Sequence, residues 1–169
     1  MDPILDKARA GQNALEQIAN AIPGFKGYRE KELRRDADRL QRENLASRLE
    51  ESKKSLDTVA NAASRVGALD AINDIETARK RLDKVVNRIR YADRGYAGFF
   101  DTIKVDEGAL DRVYRFDLSL LHGVEEARGA AAAATTGASP AEAVRDMIAR
   151  LDALDAALGE RESILTGIR

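Results

Sequence analysis

Asp117 is the residue in this sequence whose placement most suggests chemistry. It falls at the centre of an apolar arc made by Leu110, Val113, Tyr114, Phe116, Leu118, Leu120, Leu121 and Val124 at helical spacing. A carboxylate in such surroundings is either a general base with a raised pKa or one half of an ion pair, because an isolated charge is costly to take out of water. A general base needs a second titratable group within reach, and none follows at helical spacing on the same face. Arg161 takes a seam position in the last helical stretch. The sequence therefore predicts that Asp117 and Arg161 meet across a helix interface and fix its register, as polar seam residues do.

Other catalytic chemistries lack their residues. His122, the only histidine, projects to the polar side of its helix with Arg115, Ser119 and Glu126. One histidine cannot supply the paired Glu-x-x-His motifs of a carboxylate-bridged metal bundle. The absence of cysteine removes a disulfide framework, a thiolate metal site and a cysteine nucleophile. No phosphate loop or dinucleotide fingerprint occurs, since the glycines around Gly95 follow a helical pattern rather than a strand. The expectation is a protein without catalysis, metal or cofactor.

Binding signals are stronger. Arg79, Lys80, Arg81, Lys84, Arg88, Arg90 and Arg94 face only Asp83 and Asp93 within the same span. Of these, Lys80, Arg81, Lys84 and Arg88 project together, opposite an apolar seam. Such a stripe suits the phosphates of a nucleic acid, anionic lipid headgroups or an acidic protein surface. It also suits an internal role, because the chain carries 20 basic against 16 acidic residues up to Gly98 and 8 against 13 from Phe99 onward. Charged outer faces are the default for packed helices. The segment from Lys26 to Glu43 interleaves both signs, with Glu30 to Arg34 and Asp38 to Arg42 at the four-residue spacing that supports a helix. Beside it, Phe25 and Tyr28 stand between glycines in a turn, where they form either a docking tip or a plug for the end of a core.

The elements that must position these residues are helices throughout. Pro3 opens the first, predicted over 3–22, whose seam runs through Gly11, Leu15, Ile18 and Ile22. The second, over 28–66, contains no proline or glycine and places Leu45, Leu49, Leu56, Val59 and Ala63 on one face after a phase shift near Leu40. Gly67 is either a hairpin turn or an internal glycine costing about 1 kcal/mol. A third helix over 70–93 keeps Ile75, Ala78, Leu82, Val85 and Ile89 in heptad spacing. An aromatic elbow with Phe99 and Phe100 follows. The fourth, over 107–128, has an apolar arc wide enough to be the most buried of the set. An alanine, glycine and threonine linker is predicted over 129–138, and a fifth helix over 140–168 carries Val144, Met147, Leu151, Leu154, Leu158 and Leu165.

The expected fold is all-α: one domain over 1–169, an elongated bundle of about five helices with a long antiparallel coiled-coil hairpin. Its apolar seams exceed what a thin bundle covers, which predicts self-association. The expected function is that of a noncatalytic scaffold or adaptor working through protein-protein contacts. The alternative is peripheral binding to a membrane surface or nucleic acid through the basic stripe. The N-terminus lacks a signal-peptide pattern and no apolar run reaches bilayer length, so a cytoplasmic location is expected.

Overall fold

The computed structural model describes residues 3–92, 97–102 and 104–167, and the side chains of 9–92, 99–102 and 104–167. Asp93, Arg94, Gly95 and Ile168 from the sequence reading lie outside the described residues. Within them the chain is helical without strands: α1 (Pro3–Ala21), α2 (Lys31–Glu50), α3 (Ser52–Arg65), α4 (Leu69–Arg90), the short α5 (Ala97–Asp101), α6 (Glu107–Thr136) and α7 (Pro140–Gly167).

The expected second helix is present as two segments. It begins at Lys31 rather than residue 28, because the chain from Pro23 to Glu30 forms a loop with Gly24 and Gly27 at positive φ. It is interrupted at Glu51, which keeps right-handed helical dihedrals of −56° and −26° while its carbonyl accepts the tighter bond from Lys54 N at 3.2 Å. Gly67 is a turn. Its φ of +67° closes a Schellman arrangement, with Ala68 N donating to Ala63 O at 3.0 Å and Gly67 N to Ser64 O at 3.3 Å.

After that turn α4 runs back antiparallel to α3 and α2, as the pairs Arg79–Asp57, Lys53–Asp83 and Arg90–Glu43 show. A second hairpin joins α6 to α7, where Arg150 meets Glu126 and Arg161 meets Asp117. The predicted linker over 129–138 is largely helix: α6 continues to Thr136 and only residues 137–139 separate it from α7. Alanine is the best helix former, and Ala127, Ala130, Ala131 and Ala134 are buried, so packing offsets the cost of Gly129.

The two hairpins lie side by side with both turns at one end. The α2/α3 rod contacts α4, α4 contacts α7, α7 contacts α6, and α6 closes the ring against the rod. α1 packs along α6 and α5 seals the opposite end against α2 and α7. The core therefore has two apolar clusters. One, running from Leu45 on α2 to the turn end, includes Leu56, Ile75, Leu82, Val124, Val144 and Leu151. The other, at the opposite end, gathers Ile18, Phe25, Tyr28, Phe99, Phe100, Leu110 and Leu165. No helix among the described residues is long and apolar enough to cross a membrane.

Candidate functional site

Between the two apolar clusters the helices carry polar residues instead. On α2, Asp38, Gln41 and Arg42 stand between Ala37 of one cluster and Leu45 of the other. On α6, Asp117 stands between Tyr114 and Leu120, and on α7, Arg161 stands between Leu158 and Leu165. All five polar side chains are buried. Together they form a charged layer across the bundle.

Arg161 is its centre. Its Nε donates to Asp117 Oδ1 at 2.7 Å, and its Nη2 donates to Asp38 Oδ1 at 2.7 Å and to Gln41 Oε1 at 3.2 Å. Asp38 Oδ2 in turn accepts from Arg42 Nε at 2.7 Å, while Arg42 Nη1 reaches the Arg90 carbonyl at 2.6 Å, tying the layer to the end of α4. The Tyr28 hydroxyl donates to Asp117 Oδ2 at 2.5 Å. Two guanidinium groups thus balance two carboxylates, which is the condition for keeping charges out of water. Burial opposes the charge on Arg161, but the facing carboxylates of Asp117 and Asp38 more than offset it and hold the pKa well above the ordinary guanidinium value. Burial first, and then the negative charge of Asp117, pushes the Tyr28 phenol well above its usual range.

The structure brings Asp117 and Arg161 together, and it recruits Asp38, Gln41 and Arg42 from the mixed-charge stretch whose spacing supports a helix. A signal for them existed. Projecting the Leu45–Leu49 seam backward by heptad steps lands on Gln41, Asp38 and Arg34, so the phase shift near Leu40 marks polar residues occupying core positions. Arg34 is buried with no ion pair among the described residues and is satisfied by carbonyl oxygens instead: Nε donates to Tyr28 O at 2.7 Å, Nη2 to Arg29 O at 3.3 Å, and Nη1 to those of Phe99 and Thr102. That fan of bonds fixes the loop carrying Tyr28.

Of the two readings of Phe25 and Tyr28, docking tip and core plug, their burial matches the plug. Both rings are buried, with Tyr28 edge-on to Phe25 and Phe99 and stacked on Tyr114 at 5.5 Å between centroids. The glycines that suggested flexibility serve close packing. Gly27, at φ +87°, lies where a Cβ would come within 2.6 Å of the Tyr114 hydroxyl, and that hydroxyl accepts from Tyr28 N at 2.7 Å. A large aromatic ring in a short loop gains more from joining a core than from water.

The basic stripe faces α7. Arg81 Nε lies 3.2 Å from Asp152, Lys84 Nζ 2.6 Å from Asp155, and Arg88 Nη1 2.8 Å from the same Asp155 and 2.6 Å from its carbonyl. Hydrogen bonds from Lys84 and then Arg88 hold the Asp155 carboxyl below the usual range. Lys80 is exposed. Arg94 lies outside the described residues. Three of the four stripe residues are thus engaged by the acidic half of the chain.

His122 is exposed, and no group of three or more potential metal-ligating side chains occurs among the described residues. A cavity of about 220 Å³ adjoins the charged layer between α2, α4 and α7, where Gln41, Arg42 and Arg161 share its polar lining with Asn87, Arg88 and Glu162. The Gln41 Nε2 has no hydrogen-bond partner among the described residues.

The seams that predicted self-association are covered within the chain by α6 and α7. The large apolar side chains left exposed among the described residues are Val66, Leu69 and Tyr91, at 78%, 72% and 68%. Val66 and Leu69 flank Gly67. Beside them an apolar groove of about 440 Å³ opens between the two hairpins, walled by Val59, Ala63, Ile75, Ala134, Pro140 and Val144 among others. Small alanines at the turn end leave this hollow where larger side chains fill the rest of the core. Comparison of the chain with protein-family models, with curated proteins and with solved structures returned no match.

Proposed function

We infer that this protein is a noncatalytic helical scaffold or adaptor that acts through protein-protein contact at its turn end. The observation that carries this reading is the pairing of two exposed apolar side chains, Val66 and Leu69, with the open apolar groove beside them. Contiguous exposed apolar surface is the ordinary mark of an interaction site. The charged groups with the most unusual surroundings are already committed to each other: Asp117 and Asp38 are neutralised by Arg161 and Arg42 and packed away from substrate. A buried, charge-balanced layer suits the fixing of helix register, the best attested use of polar core residues.

Polyanion binding through the stripe is the less favoured reading, because Asp152 and Asp155 occupy the cations that would do it. A photo-cross-linking amino acid placed at Val66 in the native cell tests the contact surface, with the same group at exposed Arg115 as the control. A discrete adduct at position 66 that is absent at position 115 is expected. Equal or absent labelling at the two positions would remove the turn end as the contact surface.

A further inference from the structure

We propose that the occupant of the turn end is a second copy of this chain, docked tip to tip about a two-fold axis. This rests on the contact-surface reading above and names its partner. A two-fold interface uses the same patch on both subunits, so the patch must complement itself. The turn end does. Val66 and Leu69 form a projection, and the groove lined by Ala63, Ile75, Ala134 and Val144 lies directly alongside. A two-fold axis between the tips sets Val66 of each copy toward Leu69 of its mate and brings the two apolar grooves mouth to mouth.

The charges repeat the pattern. Arg65 closes α3 and Asp70 lies in the first turn of α4, on opposite sides of Gly67, both exposed and neither in an ion pair among the described residues. A two-fold axis perpendicular to the plane of this hairpin sets α3 of one copy end to end with α4 of the other. Arg65 of each copy then faces Asp70 of its mate. The same operation opposes the carbonyl end of one helix to the amide end of another, the favourable sense for helix dipoles. The remaining charges at this end are also mixed, with Arg145 paired to Asp74 at 3.3 Å and Glu142 nearby. A strongly charged foreign partner would find no single-sign surface here, whereas a copy of the same chain finds its complement.

Four helices spaced 8–10 Å apart present an end face on the order of 400 Å². That is about half the 800 Å² per partner of a standard stable complex. The association is therefore weak and concentration-dependent.

Sedimentation equilibrium of the full chain from micromolar to millimolar concentration tests this. The expected result is a mass rising from monomer toward dimer. Val66→Glu combined with Leu69→Glu, both at exposed positions, should stay monomeric with an unchanged helical circular dichroism spectrum. Arg65→Asp alone and Asp70→Arg alone should each weaken association by about threefold to tenfold, the effect of two lost exposed ion pairs. The two changes in one chain should restore it, because the swapped charges meet again across the axis. A monomer at every concentration, or a double swap that fails to recover, overturns the proposal. If the protein is monomeric while the probe at position 66 captures a different protein, the two-fold contact falls and the contact-surface reading stands. If it captures nothing, both fall.

Discussion

Arginine meets aspartate in two places along α7, and the two places behave as different chemistry. Inside the bundle, Arg161 bridges Asp117 and Asp38 with all three side chains sealed from solvent. On the outside, Arg88 and Lys84 share Asp155 and Arg81 reaches Asp152, at positions water can enter. The Lys84 and Arg88 distances to Asp155 match the inner ones, near 2.7 Å, and Arg81 lies 3.2 Å from Asp152. The surroundings differ, and they decide the energetics. Exposed pairs contribute roughly 0 to 1 kcal/mol each because water and salt compete for both partners. A buried pair contributes little as a whole, yet breaking it strands a charge and costs several times more. The lesson is that the inner pairs specify how α2, α6 and α7 align, while the outer pairs hold α4 beside α7 and leave that face electrically quiet.

The largest expected effect lies inside. Arg161→Met leaves Asp38 and Asp117 facing each other with only Arg42 to compensate, and should cost about 3–5 kcal/mol in urea unfolding. Arg88→Gln, the matching change outside, should cost less than about 1 kcal/mol and lose even that in high salt. Equal losses at the two positions would erase the distinction.

The two glycine turns sharpen it at the level of the backbone. Gly27 and Gly67 both sit at positive φ, +87° and +67°. A Cβ at Gly27 would also strike the Tyr114 hydroxyl at 2.6 Å, whereas one at Gly67 meets nothing within 4 Å. Gly67→Ala should therefore cost about 1 kcal/mol, the left-handed penalty alone, and Gly27→Ala about 2–3 kcal/mol with loss of order in the Tyr28 loop. Thermal unfolding of the two variants checks the ranking.

The smallest effect concerns pH. The carboxyl of Asp155 has a folded-state pKa below its unfolded value, so its contribution is complete above about pH 4 and fades as acid protonates it in the folded protein. Asp155→Asn should lower stability slightly at neutral pH and converge on the parent as pH falls from the unfolded-state value through the lowered folded-state one. A constant difference across that window would mean the pair does not titrate as its hydrogen bonds imply.

Much of this was legible in the sequence. The three-and-four rhythm of Ile75, Ala78, Leu82 and Val85 specifies a helix with one buried face, and all four are buried. Gly67 between two such rhythms marks the turn. What was not legible depended on distant neighbours. Residues 129–136 have a composition that serves a linker or a helix equally, and burial of Ala130, Ala131 and Ala134 decided the matter. Phe25 and Tyr28 can be read as a tip or a core plug because their glycines are local, while the Tyr114 and Phe99 rings that enclose Tyr28 lie more than seventy residues away. The basic stripe can be read as free for a polyanion or as matched to the acidic half of the chain, and Asp152 and Asp155, which engage it, are equally remote. Asp38 and Arg42 are legible as a helix-supporting pair, but the four-residue spacing that joins them says nothing about which way they face.

We propose that the charged layer is a structural device coupling α2, α6 and α7. A double-mutant cycle on Asp117→Asn and Arg161→Gln, read by urea unfolding, tests it most directly. The structure predicts a coupling energy of about 2 kcal/mol or more, the range for contacting residues in one network. Coupling near zero, with each single change costing under about 0.5 kcal/mol as ordinary surface substitutions do, would contradict it.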